Sequence, residues 1–404
     1  MSELNEIKVL RDPIHGYIHI KDKIIWDCLN AKEFQRLRRI HQLGATFQVY
    51  HTAEHSRFSH SLGVYEIARR IVEENEDFSV ALTEKEKTSV MVAALLHDLG
   101  HGPFSHAFEK LTSKSHEAYT AQIIMGPSQI HDILEAYDPD LPDQVVSIIN
   151  HTAENQLLSQ IISSQLDADR MDYLLRDAYF SGTSYGQFDL ERILRTIRVK
   201  EGKLVVKQSG IHTVEDYIMA RYHMYWQVYY HPVNRSYEAI LNNLFKRMQV
   251  IYNIDPSGFD EYPMFKGVLE EKPLTNDELY ELDECSFQYG FMQLRKHPDP
   301  IIADLADRLV NRRLFAYENV TTIEQTNQYY EWISSHGYDS DYYMYIDKTD
   351  QRPYQPYKND ESSIWILMDD GRILELADAS KIVFAVMNTN EDQKKVYFPK
   401  ELNE

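Results

Sequence analysis

The stretch VMVAALLHDLGHGPFSH, at residues 90–106, joins an apolar segment to a cluster of histidines and an aspartate. Thr83 followed by Glu86 is a capping-box pattern, which predicts that a helix begins shortly before this stretch. Gly100 to Pro103 would end that helix, because glycine and proline break helices. We therefore predict a buried helix whose C-terminal end carries chemically active side chains.

His97 and Asp98 fall at the end of this apolar helix, beside the core. An ionised aspartate is costly there unless it is paired or bound to a metal ion. Imidazole and carboxylate groups suit manganese, iron, zinc, nickel or magnesium. His101 shares a face with His97 if the helix persists, because the two are four residues apart. The alternative is a helix end where histidines meet carbonyl groups, but with His106 added the pattern is more typical of a metal site.

Three other segments add histidines, acids and arginines: HSRFSHSLGV at 55–64, SHEA at 115–118 and LDADRMDYLLRDAYFSG at 166–182. The last of these places Asp169, Tyr173, Arg176 and Asp177 on one face of a helix. Such a face is compatible with a solvated set of ion pairs. Arginine beside a metal-bound aspartate is also what a polyphosphate site requires, because guanidinium binds phosphate oxygens in pairs.

Two further clusters have open interpretations. Arg221, Tyr225 and Tyr229 recur at helical spacing, which is typical of core packing but also fits a face that binds a ligand. Arg36 and Arg38 belong to a basic cluster in a very acidic protein. That cluster is either an anion site or the basic half of an ion-pair network.

Three regions are predicted along the chain. Residues 1–25 are β-rich, residues 26–250 form a helical core, and residues 251–404 form a mixed α/β unit. Within the core, Asn30 followed by Glu33 predicts a helix that Gly44 ends, and Thr213 begins a helix that runs to Pro232.

Turn signals predict short β-hairpins within this mainly α chain. Glu201-Gly202 and Asp370-Gly371 each separate two strand-like segments. Three further strand-like segments lie near the second hairpin. YMYIDKT at 343–349 precedes it, and IVFAV at 382–386 and KKVYFP at 394–399 follow it.

Composition narrows the class of protein. The 404 residues include 63 acids against 42 strong bases, a net charge of −21. This balance argues against nucleic-acid binding, which needs a broad basic face. Two cysteines, Cys28 and Cys285, exclude a disulfide framework or a multi-cysteine zinc site. Without a bilayer-length apolar segment or a secretory signal, we expect a cytoplasmic protein with no membrane contact.

RFSHSLGV, HDLGHGPFSH and DADRMDYLLRD occur in this order at residues 57–64, 97–106 and 167–177. Together they resemble the HD-domain deoxynucleoside triphosphate triphosphohydrolases. KVLRDPIHG at 8–16, EFQRLRRIHQLG at 33–44 and YYHPV at 229–233 extend the resemblance. It implies a mainly α fold, with an HD-domain helical core, short β-hairpins and a smaller mixed α/β C-terminal region.

The resemblance also implies a reaction, in which water attacks the α-phosphorus of a dNTP and releases a deoxynucleoside and inorganic triphosphate. The implied metal ligands are His60, His97, Asp98 and Asp169, holding a divalent Mn, Mg, Fe, Ni or Zn ion. The implied catalytic residues are His101, His106, His116 and Glu117. Among these we favour His106 or His101 as the proton donor to the leaving oxygen, with His116 and Glu117 in support.

Family members also hold the substrate and a regulatory nucleotide with matching residues. The implied substrate-binding residues are Gln42, Leu43, Arg57, Arg170, Tyr173, Asp177, Arg221 and Tyr229. The implied regulatory site, for a dNTP or GTP at a subunit interface, comprises Lys8, Val9, Gln35, Arg36 and Arg38. Asn30 departs from the acid that reads guanine in the mammalian member. A homotetramer or homodimer is expected.

Two alternatives stay open. One is an HD phosphohydrolase acting on a nucleoside monophosphate or a signalling nucleotide. For a monophosphate, Arg57, Arg170 and Arg221 would be surplus. The other is a nucleotide-sensing protein with a silent metal site, against which the complete set of four presumed ligands argues. A nuclease is disfavoured by the net charge.

Overall fold

A computed structural model describes residues 3–112, 114–270, 272–349, 363–387 and 393–403. The prediction of a mainly α fold is confirmed: helices dominate, and three small sheets are attached to them. The chain opens with the antiparallel hairpin β1 (Glu3–Asp12) and β2 (Gly16–Asp22). Asp12 closes its turn by accepting hydrogen bonds from the backbone N–H groups of Ile14 and His15.

Fourteen α-helices within the described residues follow as far as Ile254. They are α1 (Lys23–Asn30), α2 (Lys32–Arg36), α3 (Arg57–Arg69), α4 (Glu76–Ala81), α5 (Glu84–Leu96), α6 (His106–Thr112), α7 (His116–Met125), α8 (Gln129–Tyr137), α9 (Leu141–Ile149), α10 (Gln156–Ile162), α11 (Ala168–Ser181), α12 (Leu190–Thr196), α13 (Ile211–Met224) and α14 (Pro232–Ile254). The central helix α5 packs against α3, α9 and α10, and α3 packs against α11. This packing brings the ends of three helices together.

The capping box at Thr83 and Glu86 is confirmed, because each residue bonds the other's backbone N–H. Helix α5 is buried from Thr88 to Leu96 and ends there, one residue before His97. The helix therefore does not persist to His101, and the prediction that the two histidines share a helical face is wrong. A tighter turn carries His97 and Asp98 instead.

The described residues contain eight further α-helices, all after Ile254, and seven further strands, two of which precede α13. The helices are α15 (Pro263–Leu269), α16 (Asn276–Tyr280), α17 (Glu284–Leu294), α18 (Pro300–Val310), α19 (Ile323–Ser335), α20 (Ser340–Tyr343), α21 (Leu376–Ala379) and α22 (Lys381–Met387). The strands are β3 (Ile197–Lys200), β4 (Lys203–Lys207), β5 (Phe315–Asn319), β6 (Tyr345–Thr349), β7 (Trp365–Leu367), β8 (Ile373–Glu375) and β9 (Gln393–Pro399).

The strands of the C-terminal region lie in two sheets, one of which also contains two strands of the core. One has the strand order β3-β4-β7-β8, and the other β5-β9-β6. Both predicted hairpins, β3–β4 and β7–β8, are present and antiparallel. Strand β7 pairs in parallel with β4 of the core hairpin. The expected boundary after residue 250 falls inside α14, so the three-part division stays a prediction.

Three local predictions are wrong. Asn30 does not cap a helix: it ends α1, and its side-chain amide donates to the carbonyl of Trp26. The segment after it forms only α2 and one 3-10 turn, well short of Gly44. Helix α13 begins at Ile211, so Thr213 is not its cap. The predicted strand IVFAV lies in helix α22.

None of the helices in the described ranges is long and apolar enough to cross a lipid bilayer.

Candidate active site

The structure brings together the four residues expected to bind metal. His60 lies in α3, His97 and Asp98 follow α5, and Asp169 lies in the first turn of α11. The Nε2 atom of His60 is 3.0 Å from Asp169 Oδ1 and 3.8 Å from Asp98 Oδ2. The Nε2 atom of His97 is 3.3 Å from Asp98 Oδ1 and 3.7 Å from Asp169 Oδ1.

The second nitrogen of each histidine shows that these residues fit a metal ion. His97 Nδ1 lies 2.9 Å from the carbonyl of Ala94, which can only accept, so this nitrogen donates. His60 Nδ1 lies 2.8 Å from Asp172 Oδ2 and donates in the same way. In a neutral ring the lone pair is then on Nε2, which faces the cluster in both residues. Such fixed tautomers are the usual arrangement around metal-binding histidines.

Histidine and aspartate side chains of opposite charge face one another in the cluster. Burial lowers the pKa of His60, but the hydrogen bonds that His60 makes to Asp169 and Asp172 outweigh this and raise the pKa to about 10. Burial raises the pKa of Asp169, but its bonds to His60 and His97 bring the pKa below its ordinary value. Both shifts have the same cause, because a carboxylate and a positive charge beside it stabilise each other.

A buried charge network fixes His60 from behind. Asp172 receives His60 on one oxygen and contacts His15 Nε2 at 2.6 Å on the other. The guanidinium of Arg176 binds both oxygens of Asp172, at 2.8 and 2.9 Å, and also donates to Asp12 at 2.8 Å. Arg176 is therefore fully buried and is not part of a solvated face. The hairpin turn at Asp12–His15 thus orients His60.

Arg57, expected to bind substrate, is buried beside the cluster. One of its terminal nitrogens donates to Asp98 Oδ2 at 2.5 Å, and the other to Ser105 Oγ at 2.9 Å. Burial raises the pKa of Asp98, but the charges of Arg57 and His97 hold the pKa well below its ordinary value. Ser105 was not foreseen as a site residue, although it lies inside the HGPFSH motif.

The expected catalytic histidines lie on the far side of Asp98. His101 Nε2 is 3.3 Å from Asp98 Oδ1, and its ring stacks on that of His116 with centroids 3.8 Å apart. His116 Nδ1 hydrogen-bonds Glu109, while its Nε2 is 3.3 Å from Glu117. Glu117 therefore lies beside His116 as predicted, but the sequence interpretation missed Glu109, which accepts hydrogen bonds from both the backbone N–H and Nδ1 of His116. His106 begins α6, and its side chain lies outside the described part of the structure.

Two tyrosines expected to hold the nucleoside contact each other beside His60. The rings of His60 and Tyr173 are 6.4 Å apart, and those of Tyr173 and Tyr229 meet edge-on at 6.2 Å. The Tyr229 hydroxyl donates to Asp177 at 2.8 Å, and burial together with this carboxylate raises its pKa well above the ordinary value. His55 bonds the other oxygen of Asp177 at 2.8 Å. The ring of Tyr229 is thereby held in one orientation.

Arg170 and Arg221 converge on the segment that precedes α11. Arg170 bonds Asp167 and the carbonyl of Ser164, and Arg221 donates to Gln165 Oε1 at 2.6 Å. The Nε–H groups of both arginines are buried and have no hydrogen-bond acceptor among the described residues. Buried donors are normally satisfied, so these two groups are suited to an incoming anion.

Gln42 and Leu43 border the same region. The carbonyl of Gln42 lies 3.5 Å from a terminal nitrogen of Arg57, and its backbone N–H donates to His55 at 2.9 Å. The Gln42 side-chain oxygen is buried with no donor among the described residues. Leu43 is half-buried against the core.

The expected regulatory residues lie in two places. Lys8 and Val9 are on β1, opposite Ile20 and His19 of β2, and Val9 is exposed. Gln35 accepts a 2.8 Å hydrogen bond from Arg38, whose guanidinium stacks on Phe58.

Arg36 differs from these residues, because only 2% of its surface is exposed. Its guanidinium donates to the carbonyls of Leu282 and His101. In this structure Arg36 is a buried structural residue and offers no surface to a nucleotide.

Comparisons with known proteins agree with this geometry. The HD domain pattern matches residues 57–177, and the HD associated region matches residues 188–263. The YwfO protein of Bacillus subtilis is 44% identical over 408 aligned positions, covering 99% of this chain and 94% of that protein. The chain therefore belongs to the HD-domain family of metal-dependent phosphohydrolases, which bind divalent metal ions.

Two more relatives extend the comparison. A Dictyostelium discoideum protein named as a deoxynucleoside triphosphate triphosphohydrolase SAMHD1 homolog is 32% identical, covering 60% of this chain and 50% of that protein. The crystal structure of a phosphohydrolase from Bacteroides thetaiotaomicron matches with a TM-score of 0.83 at 26% identity, covering 97% of this chain and 100% of that one.

Proposed function

We propose that the protein is a dNTP triphosphohydrolase that cleaves a dNTP to a deoxynucleoside and inorganic triphosphate. The observation that carries the proposal is the number of arginines around the four expected metal ligands. Arg57 contacts one of its carboxylates, and Arg170 follows another directly in sequence. With Arg221, these give three buried or half-buried guanidinium groups at one site, which exceeds the need of a single phosphate.

Each side chain has a part in the proposed reaction. We assign His60, His97, Asp98 and Asp169 to the metal, which when bound supplies Lewis-acid stabilisation of charge on a phosphoryl oxygen. Arg57, Arg170 and Arg221 neutralise the triphosphate and hold it in line for attack by water. A histidine of the segment 101–106 donates a proton to the leaving 5′-oxygen, supported by the His116–Glu109 pair.

Selectivity for the deoxy sugar is assigned to Tyr229. Its hydroxyl is tied to Asp177, and its ring is packed edge-on against Tyr173. Because these two contacts fix the ring, it cannot move away from an added 2′-hydroxyl group, so a ribonucleotide would clash. Gln42 and Leu43, in the neighbouring loop, are the remaining residues that we assign to substrate binding.

Regulation is the second part of the proposal. A dNTP or GTP would bind to Lys8, Val9, Gln35 and Arg38 at an interface between subunits of a homotetramer or homodimer. The exposed Val9 and the guanidinium of Arg38, which stacks on Phe58, support this placement. Arg36 is left out of the nucleotide contacts, because its donors are already bonded to backbone carbonyls. A cytoplasmic location, where dNTPs are made available, belongs to the same proposal.

The test is one assay on manganese-loaded protein. Each of the four dNTPs is offered alone and in pairs, with NTPs as controls, and the products are separated. We expect triphosphate and deoxynucleoside from dNTPs only, and faster cleavage when a second nucleotide is present. His97→Ala with Asp98→Ala should abolish cleavage, whereas His131→Ala, a histidine of α8 bonded to Ile124, should not. Orthophosphate or pyrophosphate as the product would contradict the proposal.

A further inference from the structure

The start of helix α17 contacts the loop that carries His97 to Ser105. Glu284, the first residue of α17, is 2% exposed. Its Oε1 atom accepts hydrogen bonds from the backbone N–H groups of Phe104 and His41, both at 3.1 Å. One carboxylate oxygen thus joins the loop to the segment that precedes α3, from a position about 180 residues further along the chain.

Arg36 secures the other end of the same loop. Its guanidinium donates to the carbonyl of His101 at 2.9 Å and to that of Leu282 at 2.7 and 3.0 Å. The segment 282–284 is therefore linked to the loop at two places. Arg36 bridges the carbonyls of Leu282 and His101, and Glu284 bonds Phe104 directly. Both contacts use backbone groups of the loop, so they fix its path without regard to its side chains.

The loop needs such support because its backbone is strained. Phe104 and Ser105 have φ values of 58° and 48°, in the left-handed region that favours glycine. A residue in this conformation persists only where its surroundings enforce it. The Phe104 ring also packs near Phe287 and Phe291 of α17, at 6.4 and 5.9 Å. Helix α17 thus holds the strained position through both backbone and ring.

The strained turn determines where Arg57 points. Ser105 Oγ, placed by this turn, accepts hydrogen bonds from Arg57 Nη2 and Nε at 2.9 and 3.3 Å. The same guanidinium donates to Asp98. A change in the φ angle of Phe104 or Ser105 would therefore move the partner of Arg57, and with it the Arg57–Asp98 pair.

We propose that Glu284 is a positioning residue of the active site, which holds the 97–105 loop in its strained conformation and thereby aligns Arg57, Asp98 and His101. Its effect on turnover rests on the proposed function, whereas its effect on the loop does not. The proposal gives the C-terminal region a direct part in building the site.

The ionisation of Glu284 supports this assignment. Burial raises its pKa to about 7, against the opposing effect of the N–H groups of Phe104 and His41 and the charge of Arg36. The ionisable groups that face it are Arg36 from α2, Tyr237 from α14, His41, and Asp283 and Cys285 from its own end of α17. Both the neutral acid and the carboxylate keep an acceptor oxygen for the two amides, so a glutamine can replace either form.

The test compares Glu284→Ala and Glu284→Gln with a matched control, Asp283→Ala. Asp283 caps the same helix end and pairs with Arg39, but among the described residues no hydrogen bond joins its side chain to the loop. Amide hydrogen exchange of the peptide covering residues 99–106 is measured by mass spectrometry at one fixed pH. The turnover number and KM for a dNTP are measured on the same samples at saturating manganese.

We expect Glu284→Ala to speed exchange of this peptide at least tenfold and to lower the turnover number 10- to 100-fold with little change in KM. Glu284→Gln should restore both, and Asp283→Ala should leave both near wild type. If Glu284→Ala does not fold, Glu284→Asp, which keeps the charge but shortens the reach, should show the same losses in part.

Unchanged exchange in Glu284→Ala, or equal effects in Asp283→Ala, would overturn the assignment. Wild-type protein that cleaves no dNTP would remove the proposed function, while the exchange measurement would still decide the role of Glu284.

Discussion

Replacing Asp172 with asparagine should weaken metal binding although Asp172 is not among the proposed ligands. The carboxylate accepts from His60 Nδ1 and binds Arg176 in a bidentate pair. In asparagine an NH2 group replaces one of the two oxygens, so donors that now bond that oxygen would face an N–H group instead. His60 then loses the group that fixes its tautomer. Changes of this kind typically cost 10- to 100-fold in metal affinity, or about 1.4–2.7 kcal/mol.

The same change also removes one of two anions from Arg176. Breaking a buried ion pair costs about 3–5 kcal/mol when the charge is left alone. Asp12 still binds this guanidinium, at 2.8 Å, so the loss of stability should be at the lower end of that range. This loss is smaller than the roughly 5–15 kcal/mol by which folded domains are typically stable, so we expect the variant to fold and its metal affinity to be measurable.

The assay is the manganese dissociation constant, obtained by competition with a chelator on metal-free protein, with thermal unfolding measured in parallel. Asp177→Asn is the matched control, since Asp177 is a buried carboxylate of the same helix that bonds His55 and Tyr229. We expect weaker binding only in Asp172→Asn. Wild-type affinity in that variant, or equal weakening in both, would refute the reasoning that Asp172 acts through His60.

Three shorter predictions follow from other features. Tyr229→Ala should lower the ratio of dNTP to NTP cleavage at least tenfold, as measured by parallel initial rates, because the fixed ring that meets the sugar is gone. The pKa of Glu284 is raised from 4.5 to about 7 in the folded protein, so its stabilising contribution is complete below pH 4.5 and is lost as the pH rises through 7. The free energy of unfolding of the wild type, measured with urea, should therefore fall by up to about 3 kcal/mol between pH 4.5 and 7 relative to that of Glu284→Gln, which does not titrate. Removing metal with a chelator should lower the unfolding temperature, and excess manganese should restore it, because the ion binds only the folded site.

The sequence predicted the elements whose signals are local. The capping box at Thr83 and the apolar run after it define α5, and turn residues define both hairpins. The ordered motifs also identified the four residues of the cluster. Their side chains meet because three helices pack together, and the motifs indicate this only through resemblance to a family.

Other features depend on residues far apart in the chain. Nothing local distinguishes Arg36 from Arg38, yet Arg36 is buried because Leu282 and His101 offer it carbonyl groups. The β-branched segment after Ser380 favours a strand by propensity. It forms α22 instead, where the Ser380 hydroxyl accepts from the N–H of Val383 and the Val383 side chain is buried. Asn30 fails as a cap for a similar reason, since its amide turns back to Trp26.

The parallel pairing of β7 with β4 has a consequence for synthesis on the ribosome. Val205 of β4 meets Trp365 of β7, so 160 residues separate the two partners. At roughly 5–20 residues per second, the open side of β4 waits about 8–30 s for its partner to emerge. During this interval the nascent chain exposes a strand edge containing Val205 and Val206, which are buried in the finished protein. Chaperone binding at this edge during translation would shield the chain until β7 arrives.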